Sequence, residues 1–247
     1  MKIPPFSTAE YDRRIAAARA AMQARDLEAM IVTDPSNQAW LTGYDGWSFY
    51  VHQAVILPAE GQPIWWGRGQ DANGARRTVD TERTGIVGYP DNFVQSTERH
   101  PMQHLAGTLA DIGIGGGRIG LEMDNYYFSA RAHQVLVETL PAAQLVDATG
   151  LVNWCRAVKS DEELDFMRRA ARIAEQVCQV AIDMAAPGVG KNEIAAEVMR
   201  AGILGLGADW GDYPAIVPLM PSGSDAAAPH LTWNGDPMQA GEATFFE

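Results

Sequence analysis

Residues 118–146 read RIGLEMDNYYFSARAHQVLVETLPAAQLV. Arg118 to Leu121 is a short apolar strand signal, Phe128 to Leu140 reads as a helix, and Gln144 to Val146 is a strand signal again. Strand, helix and strand within about thirty residues make the repeating unit of an α/β layer.

The same alternation continues upstream. Thr8 to Arg25 places Tyr11, Ile15, Ala18 and Met22 at helical spacing, with a cap expected at Ser7 or Thr8. Leu27 to Thr33 reads as a buried strand. Asp34-Pro-Ser-Asn37 is expected to end it in a turn, and Ala39 to Gly43 to form a short helical step closed by glycine. Two strands, Gln53 to Leu57 and Pro63 to Trp66, are joined by Pro58-Ala-Glu-Gly61 as a hairpin. A helix over Asp71 to Val79, a strand at Gly85 to Val87 and a helix over Met102 to Ile112 complete the α/β pattern.

The character changes between Asp147 and Lys159. Beyond it come a long helical pattern from Asp161 to Ala185, the break Ala186-Pro-Gly-Val-Gly190, and a second helix from Asn192 to Gly205. Three strand-like pieces follow: Ala215 to Met220, Leu231 to Trp233 and Ala243 to Phe246. The expected organisation is an α/β domain over 1–155 and an α+β domain from 156 to 247. The last strand signal stops on Phe-Phe-Glu247 with no turn after it, so the second domain is expected to be incomplete.

Bulk composition limits the function classes. With 47% hydrophobic residues the 247-residue chain can bury a real core. Its net charge of −12 and pI near 4.8 argue against nucleic acid and anionic membrane surfaces as partners, which favour clustered cations. Cys155 and Cys178 have no paired spacing and the N-terminus carries no apolar signal core, which points to a reduced cytoplasm. No apolar run approaches the roughly 20 residues of a membrane helix. A small molecule is the natural partner.

Several motifs lose their functional reading in context. Gly115-Gly-Gly-Arg-Ile-Gly120 has dinucleotide-fingerprint spacing, but it follows a helix and precedes a strand, the reverse of a pyrophosphate cradle. Gly188-Val-Gly-Lys191-Asn192 lacks the glycine spacing and the hydroxyl of a phosphate loop and reads as a break between helices. His100 and His104 share a helical face without a third ligand in sequence, and Pro101 marks a helix start.

Two constellations remain. Tyr44-Asp-Gly-Trp47-Ser-Phe49-Tyr50-Val-His52 packs four aromatics and a histidine into nine residues opened by glycines. Trp47, Phe49, Tyr50 and His52 are candidates for the wall of a site for a cationic or zwitterionic ligand, since an aromatic face attracts a delocalised cation by about 0.5–2 kcal/mol. In the last thirty residues, His230 lies in a small-residue loop and Glu247 at the end of an apolar run, which together are acid/base equipment.

With both halves in view, the chain resembles the creatinase/prolidase/aminopeptidase P family, whose catalytic domain has the pita-bread fold. The matching stretches are Arg14 through Leu27-Glu-Ala-Met-Ile-Val-Thr-Asp34-Pro-Ser-Asn37 to Leu41-Thr-Gly43-Tyr44, Arg156-Ala-Val-Lys159-Ser-Asp-Glu162 to Ala170, Pro187-Gly188 with Glu193-Ile194, and Ser222-Gly-Ser-Asp-Ala-Ala-Ala-Pro-His230. The likeness implies a creatinase-like N-terminal domain followed by the start of a pita-bread domain. It is strongest to members that open the cyclic amidine of ectoine and 5-hydroxyectoine, which implies a hydrolase giving an N-acetylated diaminobutyrate.

By the same resemblance His230 occupies the position of the substrate-facing histidine. Glu247 falls where metal-dependent members place their first aspartate ligand. A glutamate after Phe-Phe departs from that pattern, so the expectation is a route without metal or other cofactor, with Glu247 as nucleophile or general base. The family also implies a homodimer in which the Trp47 to His52 loop reaches a partner's cleft. Creatine-cleaving relatives hold a carboxylate with a basic residue in this loop; Val51 and His52 supply no arginine, so the carboxylate must be held elsewhere. The rivals are a manganese- or zinc-dependent Xaa-Pro dipeptidase and a non-catalytic binding module on the same fold.

Overall fold

The computed structural model describes residues 5–247 and divides into two compact units that meet at Val158 and Lys159. The N-terminal Met1 to Pro4 lie outside the described residues.

The N-terminal unit is built on β1 (Ala29–Val32), whose four residues are all buried. A strand covered on both faces needs no polar alternation. Met30 and Val32 join the core on one face, with Met22 and Ala18 of α1 (Thr8–Gln23) and with Leu151 and Val152 of α6 (Leu151–Cys155). Ile31 points the other way, into a second core with Leu105 and Leu109 of α4 (Pro101–Asp111) and Val135 and Leu136 of α5 (Ala130–Thr139). The strand's period of two thus divides one sequence between two hydrophobic layers.

Around β1 the sheet runs in the order β4-β3-β2-β1-β5-β6. β1 pairs antiparallel with β2 (Ala54–Pro58), with Ile31 opposite Ile56, and parallel with β5 (Arg118–Leu121), with Ile31 opposite Leu121. β3 (Ile64–Arg68) returns antiparallel to β2 through the expected hairpin, where Gly61 takes φ 88°. β4 (Gly85–Tyr89) and β6 (Gln144–Asp147) are the parallel edges, reached through α3 (Ala72–Thr78) and α5. Neighbouring Trp65 and Trp66 on β3 fall on opposite faces, one packed on Tyr44 at 5.0 Å and the other on Tyr89 at 4.8 Å.

One expectation for this unit needs correction, and one helix was not anticipated. Asp34 to Asn37 is not a turn separating strand from helix: Asp34 is the N-cap of α2 (Pro35–Thr42), its side chain accepting from the Asn37 N–H at 3.0 Å, with Pro35 at the first helical position. Turn-forming residues and helix-capping residues are the same chemical set, and here the cap wins. The helix α6, five residues long, had no periodic signal to show. Gly115 to Gly117 lie between the end of α4 and the start of β5, and Gly120 lies within β5, the helix-to-strand order that excludes a pyrophosphate cradle.

The C-terminal unit begins with α7 (Asp161–Met184), started by Ser160 and Glu163 as a reciprocal capping box, and continues with α8 (Lys191–Leu204) after Gly188 at φ 89°. Ala181, Ile194, Ala195, Met220 and Met238 form its core. The three strand-like pieces are not partnered alike. The segments 219–223 and 243–247 run antiparallel: Leu219 and Glu247 exchange backbone hydrogen bonds at 3.0 and 3.1 Å, the Phe245 N–H donates to the Pro221 carbonyl at 3.2 Å and the Gly223 N–H to the Ala243 carbonyl at 2.9 Å, whereas the piece from Leu231 to Trp233 meets Leu219 at the single bridge to Thr232. An apolar run becomes a strand only where a neighbour supplies hydrogen-bond partners along its length, and the Leu231 piece has one such contact.

Candidate functional site

The loop between α2 and β2 is fixed from below. Gly43 closes α2 at φ 76°, Tyr44 drops into the core on Trp65, and its hydroxyl meets Ser48 Oγ at 2.6 Å. Ser48 in turn donates to Gln53 Oε1 at 2.6 Å. A Cβ on Gly46 would run into the Tyr44 ring, so the chain can fold over that ring only with glycine there. One of the four aromatics is therefore core, and the other three are carried on the outer side of the loop.

These outer rings contact one another. Trp47 lies 5.0 Å from Phe49 and 6.1 Å from Tyr50, and Phe49 meets Tyr127 edge-on at 5.6 Å. Arg68 Nη1 donates to the Tyr50 hydroxyl at 3.4 Å while its other nitrogens clasp Asp91 at 2.8 and 3.0 Å. The Tyr89 hydroxyl donates to the His52 carbonyl at 2.8 Å, and the His52 ring lies 4.9 Å from that of His100 at a tilt of 47°.

Phe49, Tyr50, His52, Arg99, His100 and Tyr127 help to line a cavity of about 320 Å³. Trp47 is not part of its wall; it backs Phe49 and Tyr50 and is 60% exposed, as is Tyr50. Burial, with the neighbouring His100, lowers the His52 imidazole to about 4, against a hydrogen bond to the Tyr127 backbone that raises it. Burial and Arg131 lower His100 as well. Both rings are neutral at pH 7, so the aromatic cavity holds two uncharged imidazoles.

In the C-terminal unit, His230 is exposed in a turn after a short 3-10 segment, Gly223–Ala227. Glu247 is exposed too and borders an apolar groove with Val177, Met220 and Phe246. Leu219 connects their segments, bridging Thr232 and exchanging backbone hydrogen bonds with Glu247. No hydrogen bond or ion pair joins the two side chains among the described residues.

A polar centre that the sequence reading missed lies at the carboxyl ends of β1 and β5. Glu122 is buried, its Oε2 accepting from the Thr33 and Asp34 N–H groups at 2.7 and 2.8 Å and its Oε1 from Asn37 Nδ2 at 2.7 Å. Asn37 also donates to Asn153 Oδ1 at 2.9 Å and accepts from Arg156 Nη1 at 2.6 Å. Burial pushes the Glu122 carboxyl up to about 7 against the pull of its donors. An acid directly after a buried strand was the available signal. Three protein donors converge on the two oxygens of this buried carboxylate, so the centre ties the first turn of α2 to the end of β5.

Among the described residues no three of His, Cys, Asp or Glu gather around a common point. The paired His100 and His104 are spent elsewhere: His100 Nδ1 accepts from the Met102 N–H at 3.2 Å as a helix cap, and His104 Nδ1 accepts from Trp66 Nε1 at 3.1 Å. The residues described do not make a metal centre.

Comparison with known proteins agrees with this architecture. Residues 14–158 match the creatinase/prolidase N-terminal domain and residues 165–247 match metallopeptidase family M24. The chain belongs to the creatinase/prolidase family. It is 50% identical to the ectoine hydrolase of Halomonas elongata over 98% of its own length and 62% of that protein, and 39% identical to an uncharacterised hydrolase/peptidase of Sinorhizobium fredii over 93% and 59%. The chain thus spans about three fifths of the length of these relatives. Among solved structures, a prolidase from Thermococcus sibiricus superimposes with a TM-score of 0.77 at 18% identity, covering 97% of this chain and 61% of that one, a likeness of fold. The expected creatinase-like domain followed by part of a pita-bread domain is the architecture found.

Proposed function

We propose that the chain forms the larger part of a hydrolase that opens the ring of ectoine and 5-hydroxyectoine. The observation that carries this reading is the 50% identity to an ectoine hydrolase along nearly the whole chain. The N-terminal cavity supports it chemically. Electron-rich rings at Phe49, Tyr50 and Tyr127 beside two neutral imidazoles suit a small amidinium, because a delocalised cation gains from an aromatic face and the imidazoles add no positive charge against it.

In the proposed reaction, water adds to the amidinium carbon, one ring C–N bond breaks, and the departing nitrogen takes a proton, leaving an N-acetyl-diaminobutyrate. Glu247 acts as nucleophile or as general base toward the water, and His230 positions the substrate or carries the proton. Trp47, Phe49, Tyr50 and His52 contribute to substrate binding in a cytoplasmic homodimer. The exposure of Trp47, Tyr50 and Tyr126 on one loop-rich face supports a partner there.

The match of residues 165–247 to metallopeptidase family M24 favours a second reading, a metal-dependent Xaa-Pro dipeptidase. The full-length parent protein, treated with chelator, separates the two when ectoine consumption and Xaa-Pro dipeptide cleavage are followed side by side by NMR. Ring opening that survives chelation supports the proposal. Dipeptide cleavage that chelation abolishes, without ring opening, replaces it with the peptidase, and inactivity on both substrates leaves a binding module.

A further inference from the structure

We infer that Arg99 and His100 form the anion-holding side of the N-terminal cavity, receiving the carboxylate of a zwitterionic ligand whose delocalised cation rests against Phe49, Tyr50 and Tyr127. This inference rests on reading the cavity as the binding site of a small substrate. It supplies the carboxylate partner that the loop from Tyr44 to His52 lacks.

The cations near the cavity are not equivalent. Arg68 is clasped by Asp91 through two nitrogens and spends a third on Tyr50, so its charge is already matched. Arg131 pairs with Glu138 at 3.6 Å. Arg99 lines the cavity and its guanidinium takes part in no ion pair among the described residues. Its backbone is held where it enters α4: the N–H groups of Glu98 and Arg99 both donate to Ser96 Oγ at 3.1 Å. A fixed backbone carrying a free planar fork is the arrangement that recognises a carboxylate.

His100 adds a donor by consequence of its capping role. Its Nδ1 lone pair accepts the Met102 N–H, so the neutral ring carries its proton on Nε2 and presents an N–H. The His52 ring lies beside it, with the Tyr127 backbone favouring its protonated form and burial opposing it. His100 thus offers a donor to a carboxylate oxygen, with the His52 ring 4.9 Å away and tilted by 47°. The same commitment of His100 Nδ1 argues against the pair as a metal chelate. At about 320 Å³ the cavity lies at the small end of ligand clefts, which run from about 300 to 1,000 Å³.

The test compares two ligands on the full-length enzyme: ectoine, and 2-methyl-1,4,5,6-tetrahydropyrimidine, the same ring without its carboxylate. Binding of each to wild type, Arg99→Ala and Arg99→Lys is measured by calorimetry, with ectoine turnover followed separately by NMR. The wild type is expected to prefer ectoine by on the order of 10- to 100-fold, Arg99→Ala to erase that preference by weakening ectoine alone, and Arg99→Lys to retain part of it. Arg99 is exposed, so its replacement leaves the core untouched. A preference retained in Arg99→Ala, or absent from the wild type, overturns the inference. Carboxylate preference without turnover upholds it and removes the proposed hydrolase. Turnover with the preference intact in Arg99→Ala does the reverse.

Discussion

Asn37 Nδ2 donates to Glu122 Oε1 at 2.7 Å across 85 residues of sequence, tying the first turn of α2 to the end of β5. With the Thr33 and Asp34 N–H groups on the other oxygen, one buried carboxylate satisfies the β1-to-α2 junction from which the aromatic loop departs. Glu122→Ala leaves two buried peptide donors and an amide without their partner. The expected loss is about 2–4 kcal/mol in urea unfolding of the N-terminal unit, with Glu122→Gln losing less because it keeps a carbonyl acceptor. A Glu122→Ala variant within about 0.5 kcal/mol of wild type would remove this role.

His52 gives the stability of the same unit a pH dependence whose sign is fixed. Its folded value of about 4 lies below the ordinary 6.5, so between these values the unfolded chain binds the proton first. The stabilisation is complete above 6.5 and is lost as pH falls toward 4. Glu122 works in the opposite direction: its folded value of about 7 lies above the ordinary 4.5, so its contribution is lost as pH rises through that window. Comparing wild type with His52→Phe isolates the first effect. Between pH 7.5 and pH 5 the urea midpoint of wild type should drop relative to that of the variant, and a difference between the two that does not change with pH would show that His52 does not titrate in this way.

The aromatic wall predicts a graded binding defect. Phe49→Ala and Tyr50→Ala should each weaken ectoine binding by about 2- to 30-fold, the range of one cation–aromatic contact. Trp47→Ala should lose less, since Trp47 backs the wall without lining the cavity. Calorimetric titration of the three variants checks the order, and a Trp47 defect larger than those of Phe49 and Tyr50 would place the ligand on the outer face of the loop.

Much of this architecture could be read from period and punctuation. β5 falls on Arg118–Leu121 as its four-residue apolar signal indicated, and α7 begins at the Ser160 to Glu163 capping box because that chemistry is local. Misreadings arose where long-range partners decide. Asp34 and Pro35 suit a turn and a helix start equally, and the choice rests on a helix N-terminus stabilised by Glu122, 88 residues away. Of the apolar pieces around Leu219, Leu231 and Phe245, the first and last pair through alternating backbone hydrogen bonds while the middle one meets Leu219 at a single bridge, a difference in partners that no local pattern encodes. The cavity was half legible. Phe49, Tyr50 and His52 stand together in sequence, whereas Arg99, His100 and Tyr127 reach them only through the packing of α4 and of the segment before α5.

The sharpest demand falls on Glu247. If it activates water or attacks the amidinium carbon itself, Glu247→Gln removes the negative charge while keeping the shape, and turnover of ectoine by the full-length enzyme should drop on the order of 100- to 10,000-fold. Binding should survive, because the cavity at Phe49, Tyr50 and Arg99 belongs to the other unit of the chain. Glu247 is exposed, so the substitution leaves no buried group unpaired and the unfolding midpoint should hold. Its backbone pair with Leu219 is indifferent to the side chain. Single-turnover kinetics beside calorimetry separates the two quantities: lost turnover with intact binding fits a chemical role, whereas undiminished turnover would assign the water-activating step to another group.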